Sequence, residues 1–282
     1  MSNPDAPNAG QAAAWDGPNG ETWVRMQDAL DRELAQLGQA ALAALAPKPG
    51  ERILDIGCGC GATTLELAHV VGPGGEALGV DLSQAMLAVG RRRAAEAGLA
   101  QARFVQADAQ VFAPAPAGYD AAYSRFGVML FADPVAAFAN IARALAPGGR
   151  VAFVAWRTPR ENPAMSLPMA AAGHLFPPMP PTDPLAPGPF AFADRDRVRR
   201  VLADAGFTGV EVERFDCKTV AGDLEESLDL YTQIGPLGRA LREAPEKTQA
   251  ARAAVRAAIE PFDTPTGVQF DAAAWIVTAA RT

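Results

Sequence analysis

The stretch ILDIGCGCGATTLELA, residues 53–68, sets three glycines and two cysteines between two apolar runs. An apolar run that passes through such a turn into a second one predicts a buried strand followed by a helix. Glycine lets a ligand approach the backbone closely, and the N-terminus of the following helix favours negative charge. The stretch therefore predicts a ligand cradle, for a dinucleotide, a metal ion, or a nucleoside without pyrophosphate.

The dinucleotide alternative has a complete fingerprint. Gly57, Gly59 and Ala62 satisfy the G-x-G-x-x-G/A pattern, and the acidic residue Asp81 follows about 20 residues later. The pattern alone is weak, because other nucleoside-binding turns share it.

The metal alternative rests on Cys58 and Cys60. These two residues supply at most two ligands, whereas zinc usually takes four, and the remaining cysteine, Cys217, is far along the chain. We interpret Cys58 and Cys60 as small residues that fill a tight turn, and we expect no metal site.

The third alternative rests on Asp55, which lies two residues before Gly57 at the end of the apolar strand. A buried carboxylate is costly unless it meets a cation or several donors, so an ammonium or sulfonium ligand suits it better than a pyrophosphate. This arrangement resembles the first motif of the class I S-adenosylmethionine (SAM)-dependent methyltransferases, an acidic residue followed by G-x-G-x-G, here Asp55, Gly57, Gly59 and Gly61.

The resemblance assigns further cofactor contacts after the next two strands. It implies that Asp81, in ALGVDLS, holds the ribose hydroxyls and that Leu82 and Met86 pack against the adenine. It also implies that Asp108, in FVQADAQ, takes the adenine amino group, with Ala109 alongside. The ordinary alternatives are a helix-capping role for Asp81 and a plain loop position for Asp108.

After the fourth strand, the resemblance places Ser124 and Arg125 beside the methionine end of SAM. The segment reads Ser-Arg-Phe-Gly, not the Asn/Asp-Pro-Pro-Tyr of amino-methylating nucleic-acid enzymes. The net charge of −7 also argues against nucleic-acid and anionic-membrane partners. The basic run at residues 91–93 is interpreted as a solvated helix face.

The segment AWDGPNGETWVRMQ, residues 14–27, resembles the N-terminal lid of small-molecule methyltransferases related to the ubiquinone/menaquinone C-methyltransferases. Trp15 and Trp23 would close over the sulfonium, since an aromatic face attracts a cation. The alternative for Trp23 is a core residue that anchors a helix. We expect residues 1–14 to be disordered, residues 1–19 to form a disordered or lid N-terminus, and residues 20–282 to form one domain.

Apolar strands alternate with helices over most of the chain, which predicts a parallel sheet covered on both faces. The fold class is α/β, and the family implies a doubly wound, seven-stranded Rossmann-like sheet of order 3-2-1-4-5-7-6. Its last strand, near residues 275–279, should be antiparallel.

Two inserts, residues 159–193 and 223–260, are predicted to cap the acceptor site, because open α/β sheets bind ligands beyond the carboxyl ends of their strands. The first contains ten of the 24 prolines, so no regular element is expected there, whereas the second is helical. An apolar or aromatic acceptor would suit the side chains of the first insert, and a satellite hydrophobic cluster is the alternative; these side chains are Met165, Met169, Met179, Phe176, Phe190 and Phe192.

A general base is needed only if the acceptor must lose a proton. His174 is the better candidate of the two histidines, with a plain loop position as its alternative, and His69 is interpreted as structural. Arg125 and Arg157 would orient an anionic acceptor or pair with carboxylates.

These observations predict SAM-dependent methylation of a small, apolar or aromatic metabolite, with S-adenosylhomocysteine as the product. The alternatives are a SAM-binding protein without methyl transfer and, less favoured, an NAD-dependent oxidoreductase. The chain start lacks signal-peptide features and no 18-residue apolar run occurs, so we expect a cytoplasmic monomer or homodimer.

Overall fold

A central sheet organises the protein in the computed structural model, which describes residues 8–114, 117–178 and 183–282. Seven strands follow the order β3-β2-β1-β4-β5-β8-β6, and the short β7 pairs with β8 outside this path. The strands are β1 (Arg52–Ile56), β2 (Glu76–Asp81), β3 (Ala102–Gln106), β4 (Tyr119–Arg125), β5 (Leu145–Trp156), β6 (Phe207–Val220), β7 (Asp263–Thr264) and β8 (Gly267–Arg281). Strands β1 to β5 are parallel, and β8 runs antiparallel to both β5 and β6. The predicted fold class and strand order are confirmed.

Helices connect and cover these strands. They are α1 (Ala9–Trp15), α2 (Pro18–Arg25), α3 (Gln27–Leu45), α4 (Ala62–Val71), α5 (Gln84–Glu96), α6 (Pro134–Ala144), α7 (Pro163–Ala172), α8 (Arg195–Asp204), α9 (Leu224–Gln233), α10 (Gly235–Glu243) and α11 (Thr248–Ile259). Ser83 and Asp133 cap α5 and α6 through their side chains, as their positions predict. In the part of the chain with described structure, no helix is long and apolar enough to span a bilayer.

Two expectations about irregular segments were wrong. Residues 9–14, expected to be disordered, belong to α1, while residues 1–7 lie outside the described part. The proline-rich insert contains the ten-residue helix α7. Pro163 stands in its first turn, where a missing N–H costs nothing, and the helix packs against α11 despite the internal Pro168. Tertiary packing outweighs the local cost of that proline.

Strands β6 and β8 are longer than their apolar segments predict. Their antiparallel pairing continues to Val220 and Gln269, beyond the Trp156–Ala274 pair that ends the pairing of β5 with β8. This extension carries the chain to the helices that follow β6.

A second hydrophobic cluster, here called the cap cluster, joins α7, α9, α10 and α11 to the start of α3 and to β8. Met169 and Phe176 are partly buried and pack against it. Phe192 instead is fully buried in the sheet core. Its ring centroid lies 6.2 Å from that of Phe138 and 6.1 Å from that of Phe153. Met165 and Phe190 also pack on that core, and Met179 lies outside the described residues.

Glu33 of α3 is buried against this cap, where its Oε1 accepts a hydrogen bond of 2.8 Å from the Tyr231 hydroxyl. Burial raises the pKa of Glu33 to about 7, and the bond from Tyr231 opposes this shift. Because the folded state holds this proton more tightly than the unfolded chain, Glu33 lowers the free energy of unfolding as the pH rises from 4.5 to about 7.

Glu33→Gln is therefore expected to make the protein more stable above pH 7, by up to about 3 kcal/mol, with little change at pH 4.5. Urea unfolding between pH 4.5 and 8.5 measures the effect. Asp28→Asn, which alters an exposed carboxylate on the same helix, is the control. Parallel stability curves for wild type and Glu33→Gln would contradict the prediction.

Candidate functional site

The carboxyl ends of β1, β2, β3 and β4 lie side by side in the sheet, so the segments that follow them meet at one edge. Such an edge is where open α/β sheets bind ligands. Asp55, Asp81 and Asp108, predicted from separate motifs, all lie in or directly after these strand ends.

Asp55 is fully buried in β1, between Gly79 of β2 and Tyr123 of β4. Its Oδ2 accepts hydrogen bonds of 2.6 Å from the hydroxyls of both Thr63 and Thr64, whereas its buried Oδ1 has no partner among the described residues. Burial raises the pKa of Asp55 to about 6, and the two threonine bonds oppose this shift. An unpaired carboxylate oxygen is costly, so a cationic or N–H-bearing ligand would gain binding energy there.

The turn after β1 needs glycine for space as well as for conformation. Gly57 has φ +69°, and a Cβ there would stand 2.7 Å from the Cα of Gly127; Gly61 has φ +83°, and its Cβ would stand 2.9 Å from the Phe104 ring. Beside Gly59, the Met86 sulfur, at 3.9 Å, is the only atom of the described residues within 4 Å of such a Cβ. The middle of the turn therefore offers bare backbone to a ligand.

Asp81 closes this turn against β2. Its Oδ2 accepts a 2.8 Å bond from the Gly59 N–H, and its Oδ1 accepts a 2.9 Å bond from the Ser83 N–H. Burial raises the pKa of Asp81, while these backbone donors oppose the shift. A carboxylate oxygen can accept a second hydrogen bond, so both oxygens can still receive hydroxyl donors. The cap of α5 is Ser83, so the capping alternative for Asp81 reduces to the bond it accepts from the Ser83 N–H.

The remaining predicted adenine-side residues lie along the same edge. Met86 is buried and Leu82 half-buried, at the start of α5 and just before it. Asp108 accepts a 2.9 Å bond from the Gln110 N–H and a 3.4 Å bond from the Asn8 side chain. Ala109 packs against the sheet core.

The N-terminal helices lie over this edge. Trp15 and Trp23 pack edge to face, with ring centroids 5.3 Å apart, and both contact a small cluster formed by Cys60, Met86 and Val89. Asp16 also accepts a 2.9 Å hydrogen bond from the first N–H of α5. The two tryptophans therefore reach the glycine turn, and Trp23 also packs on the cap cluster.

Ser124 links two turns. Its buried hydroxyl donates a 2.7 Å bond to the Ile56 carbonyl and accepts a 3.1 Å bond from the Gly127 N–H. A Cβ on Gly127 would come within 2.6 Å of that same carbonyl. Sequence reasoning missed Gly127, although it completes the Ser-Arg-Phe-Gly segment, and it also missed Thr63 and Thr64, which directly follow the glycine turn.

Arg125 is held by Asp31 of α3, with 2.9 Å between its Nη2 and the Asp31 Oδ1. The other Asp31 oxygen is 3.1 Å from the Nη1 of Arg93. Arg93 therefore departs from the predicted solvated face, whereas Arg92 is exposed beside Glu96. Asp31 was also missed, because its partners are 62 and 94 residues away.

The other proposed acceptor residues lie elsewhere. His174 is exposed on a short turn after α7, with its Nδ1 3.0 Å from the Ala171 carbonyl oxygen. Arg157 is buried and paired with Glu161 and Asp216. Its guanidinium carbon lies 5.2 Å from the centroid of the Trp275 ring. Arg157 thus uses its charge within the protein.

Cys58 and Cys60 are both buried, and burial raises the pKa of Cys60 to about 12. Within the described ranges, no group of three or more histidine, cysteine or acidic residues is placed to hold a metal ion. The thiols are therefore neutral near pH 7, consistent with a packing role.

Comparison with known proteins finds a matching family model, similar sequences and solved structures with a similar fold. Residues 53–149 match the family model described as "Methyltransferase domain". The ubiquinone/menaquinone biosynthesis C-methyltransferase UbiE of Ectopseudomonas mendocina is 36% identical over 120 residues, which cover 42% of this chain and 46% of UbiE. Aklanonic acid methyltransferase DauC of Streptomyces sp. is 36% identical over 107 residues, 38% of this chain and 49% of DauC. The chain thus spans about half the length of these curated relatives.

Solved structures share the fold over most of the chain. The YcgJ protein of Bacillus subtilis has a TM-score of 0.56 at 19% identity and covers 85% of this chain and 95% of its own. The [4+2]-cyclase SpnF has a TM-score of 0.52 at 19% identity, and the match covers 87% of this chain and 80% of SpnF. At such identities the likeness shows the fold, which can support different reactions.

Proposed function

We propose that this chain is a class I SAM-dependent methyltransferase, as its match to the methyltransferase-domain model over residues 53–149 supports, and that it methylates a small, apolar or aromatic metabolite. The observation that carries this proposal is Asp55: a fully buried carboxylate at the glycine turn whose Oδ1 has no partner among the described residues. A cationic methyl donor meets the need of that oxygen, whereas a pyrophosphate would repel it.

The residues present fit SAM, which when bound supplies a methyl group already activated on a sulfonium. Asp55 would face the positively charged methionine end and Asp81 the ribose hydroxyls, with the bare Gly59 backbone between them. Asp108 and Ala109 would border the adenine. Trp15 and Trp23 would exclude water and offer aromatic faces to the cation.

For methyl transfer, the protein mainly has to align the acceptor in a dry site. The cap cluster supports an apolar acceptor, since buried and half-buried hydrophobic residues of α7 and α9 meet Trp23 and Leu30 there. Residues 159–193 and 223–260 are accordingly proposed as the acceptor cap. The matched relatives UbiE and DauC, named for quinone biosynthesis and aklanonic acid, make phenols and quinols the first compounds to test.

The test is formation of S-adenosylhomocysteine from SAM with a panel of phenols, naphthols and quinols, alongside calorimetric titrations with SAM and with NAD. We expect SAM binding and turnover with at least one aromatic acceptor. SAM binding without product from any acceptor would favour the alternative, a SAM-binding protein without methyl transfer. Binding of NAD but not SAM would overturn both.

His174→Ala is expected to lower kcat less than tenfold, because an exposed imidazole on the short turn after α7 is poorly placed to remove a proton inside a dry site. Steady-state kinetics with the best acceptor of the panel measure the effect, and His69→Ala is the matched control. A loss of about 100-fold or more, with loss of a pH limb near 6.5, would instead identify His174 as the base.

A further inference from the structure

Asp31 joins three separate segments at the edge of the proposed cofactor site. It lies on α3 and binds Arg93 of α5 through one oxygen and Arg125 of β4 through the other. The side chains are only 22%, 28% and 15% exposed for Asp31, Arg93 and Arg125, so water screens these ion pairs less than it screens pairs on the open surface.

Both arginines are linked to the glycine turn, Arg93 by a direct bond and Arg125 through the segment that follows it. The Nη1 of Arg93 also donates a 3.1 Å hydrogen bond to the Cys60 carbonyl, which lies between Gly59 and Gly61. Arg125 ends β4 two residues before Gly127, which contacts Gly57 of the turn from the opposite side. Asp31 thus holds the two arginines that flank the cofactor turn.

Asp31 is also close in sequence to the lid helix α2. Only Met26 separates α2, which contains Trp23, from α3. Docking of Asp31 onto Arg93 and Arg125 therefore fixes the start of α3 and with it the helix that brings Trp23 to the turn.

The pairing further controls where the Arg125 charge goes. Arg125 is near enough to Asp55 for its charge to lower the pKa of that carboxyl, against the larger effect of burial.

We propose that Asp31 is a positioning residue for the cofactor: by holding Arg93 and Arg125 it keeps the lid docked and the glycine turn in place. This inference rests on the proposed function. It explains why the arginine predicted to orient the acceptor is already paired with an acid.

The experiment compares Asp31→Asn, Asp31→Glu and the exposed control Asp28→Asn with the wild type, by calorimetric titration with S-adenosylhomocysteine. Asp31→Asn is expected to raise the Kd about tenfold, since two charge-assisted hydrogen bonds are weakened. Asp31→Glu should recover most of the affinity, and Asp28→Asn should match the wild type. In steady-state assays, KM for SAM should rise more than kcat falls.

A second readout needs no cofactor. Trypsin cleavage after Arg25, an exposed residue at the end of α2, should be several-fold faster in Asp31→Asn because the lid is no longer tethered. Arg93→Gln, which removes the other half of one pair, serves the same purpose if Asp31→Asn does not fold.

A lower melting temperature in Asp31→Asn with an unchanged Kd and unchanged cleavage would overturn the positioning role and leave a purely structural one. Failure of the wild type to bind SAM or S-adenosylhomocysteine would instead overturn the proposed function and this inference with it. If the wild type binds the ligand but transfers no methyl group, the Kd values and cleavage rates of the Asp31 variants still test the inference.

Discussion

Asp81→Ala is expected to weaken SAM binding by about 100-fold or more, the loss of roughly 3 kcal/mol of charge-assisted hydrogen bonding. The carboxylate already accepts the Gly59 and Ser83 N–H groups, so its removal also releases the turn that forms the cradle. The variant should still fold, because Ser83 remains as the cap of α5. Calorimetric titration with SAM at a fixed pH measures the loss.

Glu76→Ala is the matched control for this measurement. Glu76 begins the same strand, β2, and pairs with Arg52 at the opposite edge of the sheet. Its replacement should leave the Kd within about twofold, as for other surface ion pairs. Equal SAM affinity in Asp81→Ala and the wild type would contradict the assignment of Asp81 to the ribose.

Asp55→Asn is expected to change SAM binding and stability in opposite directions. The amide keeps the shape of the side chain but removes its negative charge, so affinity for a cationic ligand should fall by about 100-fold. The stability of the ligand-free protein should not fall at pH 7.5. Burial raises the pKa of Asp55 to about 6 from 3.8, so the wild-type carboxylate lowers the free energy of unfolding across that interval.

The same shift predicts how SAM binding depends on pH. Affinity should be highest above pH 6 and should fall as Asp55 is protonated below it, and this decline should be absent in Asp55→Asn. Asp120→Asn, on the neighbouring strand β4 near the opposite sheet edge, is the control for both measurements. Asp55→Asn with wild-type affinity would show that the charge is not used.

Much of this site was predictable because its signals are local. The glycine turn, Asp55 before it and Asp81 after the next strand each lie within a few residues of a strand end, where chain order alone places them on one edge. The caps Ser83 and Asp133 were predictable for the same reason. Alternation of apolar strands with helices was enough to predict the parallel part of the sheet.

What sequence reasoning missed depends on contacts between distant segments. Asp31 looks like any acidic residue on an amphipathic helix until α5 and β4 bring Arg93 and Arg125 to it. Glu33 looks exposed until α9 covers it with Tyr231. Helix α7 contains prolines that argue against a helix locally, and its packing on α11 overcomes them.

The place of β8 between β5 and β6 has a consequence for synthesis on the ribosome. Strand β6 emerges well before β8, the strand with which it pairs, and three helices of the cap are made in between. At ordinary translation rates, several seconds pass between the synthesis of β6 and that of β8, and during this time neither edge of β6 is paired. Closure of the sheet and attachment of the cap therefore fall together, late in the emergence of the chain, and a ribosome stalled before residue 267 would display a half-built sheet to chaperones and to neighbouring chains.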